Sequence, residues 1–348
     1  MSDGPLLRVE DLRVDFTTEE GVLHAVDGVS FGLDRGERLA VVGESGSGKS
    51  VTAMTLMGLT RSPNASISGR AHLGDTELIS AGDEDLRRVR GKEIAMIFQD
   101  PMSSLNPVYR VGDQIIEQIR AHRDVAEEEA RERTIELLDA VGIPSPAERA
   151  RAYPHEFSGG MRQRAMIAMA LSLEPEVLIA DEPTTALDVT IQAQIIDLLQ
   201  DLNRQFGLSI ILITHDLGVV AEIAERVLVM YGGRVVEEGS LEQIFYDPQH
   251  PYTWGLLGSL TRLDRDRPER LSQIPGIPPS LISPPQGCHF RPRCPHEFEK
   301  CPEVPPLESR SGEPGQCDRC WLDPEEKRRR RMVDGRIGLA AAEEAAAG

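Results

Sequence analysis

The segment GESGSGKS, Gly43 to Ser50, has the residue types needed to hold a polyphosphate. Gly43, Gly46 and Gly48 open backbone angles closed to other residues, so the amides of Glu44, Ser45 and Ser47 can converge with theirs on phosphate oxygens. Lys49 brings a point charge to the β- and γ-phosphates, and the Ser50 hydroxyl can ligate Mg²⁺. The amides running on to Val51 add the positive end of a helix. A second segment, VLIADEP, sets two acids at the end of an apolar run. Asp181 is placed to hold the metal, and Glu182 to orient or deprotonate an attacking water. Together these residues imply hydrolysis of a bound nucleoside triphosphate.

The elements around them must deliver them to one place. RLAVV (Arg38–Val42) is short and apolar, as a buried parallel strand would be, and Ser50–Leu59 reads as a helix. Strand, glycine loop and helix is the context the phosphate motif requires. Residues 5–42 alternate apolar and polar positions, which predicts antiparallel strands leading into the loop. Val111–Arg120 and Ala126–Ile143 read as amphipathic helices, the second with Thr134, Leu137, Leu138 and Val141 on one face. Strands return at Val177–Ala180, Ser209–Thr214 and Arg226–Met230, and Gly232–Gly239 reads as a hairpin. The class is α/β.

Composition narrows the partners. The chain has 348 residues and a formal net charge of −19, which argues against a nucleic-acid or anionic-membrane surface. ATP is still compatible, because its phosphates would be held locally by backbone donors and Lys49. No apolar run is long enough to span a bilayer, and the first residues carry neither a basic region nor an apolar core. A cytosolic protein is expected. Lysine occurs only at Lys49, Lys92, Lys300 and Lys327 among many arginines. That balance suits a protein of high-salt surroundings, and equally an arginine-rich codon usage.

Further motifs follow in a fixed order: IFQDP with Gln99, SGGMRQ from Ser158 to Gln163, the acid pair Asp181–Glu182, ALD from Ala186 to Asp188, and ILITHD with His215. With the phosphate loop, this series resembles the ATP-binding subunits of ATP-binding-cassette (ABC) transporters throughout residues 5–250. The departures are small: the signature reads SGGM where many members have SGGQ. The resemblance implies a phosphate-loop NTPase cassette with a RecA-like core, an antiparallel β subdomain and a helical subdomain at about residues 100–176. It implies that Gln99 reports γ-phosphate occupancy and helps organise Mg²⁺ with Ser50 and Asp181, and that His215 bonds the γ-phosphate. Phe16 would stack on adenine; read without the family it is as well explained as a core strand residue. It further implies that Ser158, Gly159 and Gly160 of one subunit, with Asp188 nearby, face the nucleotide held by another. Ser158 can cap a helix and the two glycines expose N–H groups, but no lysine accompanies them, so they need a partner's cradle. The segment PMSSLNP (Pro101–Pro107) would meet membrane subunits; by composition alone it is a turn.

Past residue 250 the chain changes character. HPYTWGLL (His250–Leu257) is apolar and should pack on the core, and Ile274–Gly287 is a proline-rich connector. All five cysteines follow: Cys288, Cys294, Cys301, Cys317 and Cys320. Disulfides are disfavoured in the cytosol. Zinc, an iron–sulfur cluster and free thiols all remain open from the spacing. The stretch CHFRPRCPHEFEKC is similar to the tail of the peptide-importer branch. That likeness favours a [4Fe–4S] cluster on Cys288, Cys294, Cys301 and Cys320, with Cys317 as a spare or a substitute for the fourth ligand. The run EEKRRRR reads as solvated charge at the start of a frayed tail.

The resemblance thus implies a cassette over residues 5–255, a cysteine-bearing extension over 256–324 and a tail over 325–348. It implies an ATPase working as a head-to-tail dimer with an identical or homologous subunit. Two integral-membrane permeases and, indirectly, an extracellular solute-binding protein would be its partners, on the cytoplasmic face of the membrane. Oligopeptides or dipeptides are the expected cargo, with nickel or another small solute as the alternative. A soluble ABC ATPase acting on nucleic acid is the rival class, and the acidity weighs against it.

Overall fold

A computed structural model of the chain describes residues 4–100, 104–185, 187–259 and 274–333. Two sheets organise it. The smaller is built from β1 (Leu7–Thr18), β2 (Gly21–Leu33), β4 (Ala65–Leu73) and β5 (Thr76–Glu77), all antiparallel, in the order β2-β1-β4-β5. β1 sends Leu7 and Val9, then Leu12 and Val14, into its core at the period of a strand, and the extra residue between the two pairs is taken up where the register shifts, with Asp11 at φ 45°.

The larger sheet has the order β11-β10-β9-β3-β8-β7-β6. Its parallel part comprises β3 (Arg38–Val42), β6 (Ile94–Ile97), β7 (Val177–Asp181), β8 (Ser209–Thr214) and β9 (Arg226–Tyr231). β3 lies between β8 and β9, with layers on both faces. Leu39, Ala40, Val41 and Val42 are consequently all buried, which explains an apolar run without alternation. β10 (Arg234–Ser240) folds back antiparallel on β9 through Gly232 and Gly233, both at positive φ, as the hairpin reading expected.

The helices Val111–His122, Glu127–Ala140 and Gly159–Ala170 form a layer of their own. Ile115, Ile119, Leu137, Leu138, Phe157 and Met166 belong to one core that continues under β6 and β7. Two of the predicted helices end earlier than the apolar pattern suggested, while the third runs on past Arg120 to His122. The helix Lys49–Leu56 stops where Gly58, at φ 64°, lets Leu59 N–H reach the Met54 carbonyl and its own N–H reach that of Thr55. Glu127–Ala140 stops likewise before Gly142, at φ 73°.

The C-terminal segment packs on the cassette rather than hanging from it. Pro251–Gly258 is a buried helix, and the His24 amide bonds the carbonyl of Leu281 in the connector at 2.9 Å. β11 (Cys317–Asp318) adds an edge strand beside β10. The charged run departs from the solvated reading. It forms the helix Pro324–Val333, and Lys327 is only 1% exposed, its ammonium 2.7 and 2.8 Å from the Asp318 carboxylate. Arg331 donates to the Pro248 carbonyl at 2.7 Å. A charge run conceals such a pair because its register against a distant strand is not local information. The remainder of the tail, 334–348, lies outside the described residues.

Removing one partner of a buried pair strands the other charge, which costs about 3–5 kcal/mol. Both tryptophans, Trp254 and Trp321, sit in this C-terminal region, so their fluorescence reports on it. Lys327→Met should lower the urea midpoint of that signal. Lys327→Met with Asp318→Leu should recover most of the loss.

Candidate functional site

The residues singled out by the sequence leave the sheet from neighbouring strand ends. Register pairs Val42 of β3 with Thr214 of β8, Ile213 of β8 with Asp181 of β7, and Ala180 of β7 with Ile97 of β6. Gly43, His215, Glu182 and Gln99 therefore emerge along the same edge, the carboxyl ends of parallel strands where α/β sheets bind ligands.

The phosphate loop is bent tightly at that edge. Gly43 has φ 153°, and a Cβ there would lie 2.1 Å from the Met230 carbonyl oxygen. At Gly48, φ 99°, a Cβ would lie 2.5 Å from the Ala25 carbonyl oxygen. Any side chain would break the cradle at either point. The Lys49 ammonium folds back over the loop, donating to the carbonyls of Gly43 at 2.8 Å and Glu44 at 3.0 Å. Burial pushes its pKa down, against the pull of Glu182, Asp181 and Glu44.

The Ser50 hydroxyl donates to Asp181 at 3.0 Å. Burial, aided by the neighbouring Glu182, raises the Asp181 pKa, although Ser50 and Lys49 oppose the shift. A hydroxyl and a carboxylate oxygen at this spacing match the edge of an octahedral shell with bonds of about 2.05 Å, whose cis ligands stand about 2.9 Å apart. The pair fits Mg²⁺, whose charge would also relieve the strain of two adjacent acids.

Glu182 is the hub. It sits in the left-handed region at φ 48°, a conformation costly for a side-chain-bearing residue and often met at functional sites. Gln99 Nε2 and the Thr185 hydroxyl both donate to Oε2 at 2.8 Å, and His215 Nδ1 stands 3.1 Å from Oε1. Burial acts to raise its pKa, but the bonds from Thr185 and His215 and the charges of His215 and Lys49 win. The carboxyl is held below the usual range. A base that stays ionised suits a residue meant to polarise water. Thr185 carried no signal in the sequence beyond its place after the acid pair.

Gly43, Glu44, Ser45, Gln99, Glu182, Thr185 and His215 line one open cleft of ≈ 680 Å³, closed on its far side by Leu256, Ser259 and Ile274 of the C-terminal segment. That wall was not foreseen. Tyr252, inside the apolar HPYT stretch, accepts the Glu44 amide at 2.8 Å. Other expected residues stand elsewhere. Phe16 is half-buried on β1 against the core of the small sheet, outside the lining of the cleft. Ser158 caps the helix Gly159–Ala170 by accepting the Met161 amide at 3.3 Å, and it too lies outside that lining. Beside it stand Leu187 and Ile191, which a Cβ at Gly159 or Gly160 would meet. Asp188 caps the helix Val189–Phe206, accepting the Ile191 amide at 3.0 Å.

Cys288, Cys294, Cys301 and Cys320 line a second, small pocket with Phe290, His296 and Phe298, while Cys317 is on β11 outside it. All five are free thiols. Burial raises the pKa of Cys288 and Cys294 and pushes that of Cys320 up to about 12. Among the described residues no three His, Cys, Asp or Glu side chains are set to close on a single metal ion.

Comparison with known proteins agrees with this layout. The sequence profile of the ABC transporter family matches residues 26–185, and that of the oligopeptide/dipeptide transporter C-terminal region matches 236–301. The oligopeptide transport ATP-binding protein OppD of Salmonella typhimurium is 53% identical over 321 residues, 92% of this chain and 95% of that protein. The dipeptide transport ATP-binding protein DppD of Bacillus subtilis is 52% identical over 318 residues, 91% of this chain and 94% of that one. A dimeric, post-hydrolysis structure of the ATP-binding cassette MJ0796 with ADP and phosphate superposes with a TM-score of 0.61 at 26% identity, over 68% of this chain and 98% of that one.

The bonds on Glu182 give a pH test. Its depressed pKa keeps it ionised at neutral pH, and ionisation is lost only as pH falls through that lowered value. Thr185→Val removes a donor to the carboxylate, so the acid limb of the kcat profile for ATP hydrolysis should move to higher pH. An unmoved limb would show that another group sets it.

Proposed function

Because the chain belongs to the ABC transporter family, on its oligopeptide and dipeptide transport branch, we propose that it is the ATP-hydrolysing subunit that powers import of such peptides. The observation that carries the reading is the convergence of Lys49, Ser50, Asp181, Glu182, Gln99 and His215 on one sheet edge. Lys49 and His215 stabilise γ-phosphate charge, and Glu182 takes a proton from the attacking water. Ser50 and Asp181 would hold Mg²⁺, which shields the phosphates when bound. Gln99 reaches Glu182 and so lies between the base and the helical layer.

The site is half of a working one. Ser158, Gly159 and Gly160 lie outside the lining of the chain's own cleft, and a second subunit's cradle is their natural counterpart. Two copies, or this chain and a homologue, then sandwich two nucleotides. A further cleft, ≈ 510 Å³, is lined by Met57, Met96, Phe98, Ser104, Met166 and Met169, of which Phe98 precedes Gln99 in the chain. Flexible methionines adapt to a partner's helices, and we assign this cleft to a membrane permease. No helix among the described residues is long and apolar enough to cross a membrane itself, which suits a peripheral subunit at the cytoplasmic face. Residues 5–255 would form the cassette, with 256–324 as its branch-specific extension.

The four clustered cysteines support a [4Fe–4S] cluster. Four thiols lining one pocket supply the donor number that such a cluster takes. Cys317, facing elsewhere, is left out. Protein purified without oxygen should be brown, with iron and sulfide near four per chain, as the [4Fe–4S] formula requires. A colourless, iron-free protein of full ATPase activity would contradict it.

Glu182→Gln should lower kcat by about 10²–10⁴-fold while leaving ATP binding intact, and should trap an ATP-dependent dimer on size-exclusion chromatography. Unchanged turnover would remove Glu182 from the base role.

A further inference from the structure

The second residue of the phosphate loop, Glu44, carries a carboxylate at the rim of the cleft that receives the phosphates. An acid there is a liability, since it repels the ligand the loop is built to hold. The structure neutralises it from a point 249 residues away. Arg293 clamps the carboxylate with two bonds, Nη1 to Oε2 at 2.6 Å and Nη2 to Oε1 at 3.1 Å. Its side chain is only 5% exposed. The same guanidinium donates to the Tyr231 hydroxyl at 3.2 Å, to the Pro275 carbonyl at 3.0 Å and to the Ile274 carbonyl at 3.2 Å. Ile274 is itself part of the cleft wall.

Resting on the ATPase reading above, we propose that Arg293 is a positioning residue for ATP binding. It cancels the Glu44 charge and ties the phosphate loop to the wall formed by the C-terminal segment. Three features favour this over a passive strut. The contact is bidentate, the geometry that makes arginine specific for a carboxylate. It falls on the one loop whose backbone must meet an anion. The Glu44 main chain is held from the other side as well, its amide by Tyr252 and its carbonyl by Lys49. Arg293 lies between Cys288 and Cys294, so whatever orders the cysteine pocket also sets where the guanidinium stands.

The test is a double-mutant cycle in the full chain, read by equilibrium binding of a fluorescent ATP analogue with Mg²⁺ and by steady-state ATPase kinetics. Arg293→Met should weaken ATP binding about tenfold, or about 1.4 kcal/mol. KM should rise while kcat changes less than about twofold. Arg293→Lys, which keeps the charge, should recover part of the affinity. Arg293→Met with Glu44→Gln should return it to within about threefold of wild type, because the repelling charge is gone. Wild-type affinity in Arg293→Met would overturn the proposal. So would a double variant as weak as Arg293→Met, which would make the arginine a strut only. If the unaltered chain bound no ATP, the ATPase reading would fall instead, a distinguishable result.

Discussion

The parallel register of β3, β8, β7 and β6 is the constraint on which the site depends. Each strand ends within a residue or two of its neighbour, so each releases its functional group along a single edge. On the proposed reading the loop after β3 would take phosphate and the end of β7 would provide metal ligand and base, while the end of β8 carries the histidine and the end of β6 the glutamine. No one of these groups would be useful a residue up or down. A one-residue slip of a strand would turn its last side chain into the opposite layer. Since these apolar runs carry no alternation, it is the fit of their particular side chains into the layers on both faces that holds the register.

Around that edge the charges are balanced in layers. Asp181, Glu182 and Glu44 gather where a polyanion must enter, a poor arrangement unless each is answered. Ser50 bonds Asp181, three donors share Glu182, and Arg293 takes Glu44. The C-terminal segment thus walls the same cleft and also carries the cysteine pocket. Its own anchorage, through β11 and the buried Lys327–Asp318 pair, sits on the outer edge of the same sheet.

What the sequence disclosed follows from how far apart the cooperating residues lie. The phosphate loop, the acid pair and the capping serine before Gly159 are local arrangements, and a short motif carries all of their information. β1, β3 and β8 were legible from apolar pattern, whereas helix ends were blurred because Gly58 and Gly142, not the pattern, stop them. Arg293 and Glu44 were invisible as a pair, since nothing in a linear chain marks two residues so distant as neighbours. Lys327 looked solvated among arginines for the same reason. Tyr252 read only as part of an apolar stretch and Ile274 as the start of a proline-rich connector, and the bond of the one to the Glu44 amide and the place of the other in the wall of the cleft needed the fold.

The central claim is that a working site is made from the cradle of one chain and the Ser158–Gly160 segment of another. Subunit complementation tests it most directly. Two inactive variants, Lys49→Ala and Ser158→Arg, would be purified separately, mixed with ATP and Mg²⁺, and assayed for turnover. Among randomly formed pairs, half combine one of each and hold a single intact composite site, so about a quarter of wild-type activity should return. No recovery at any mixing ratio, with both variants folded and mixed dimers formed, would contradict the account.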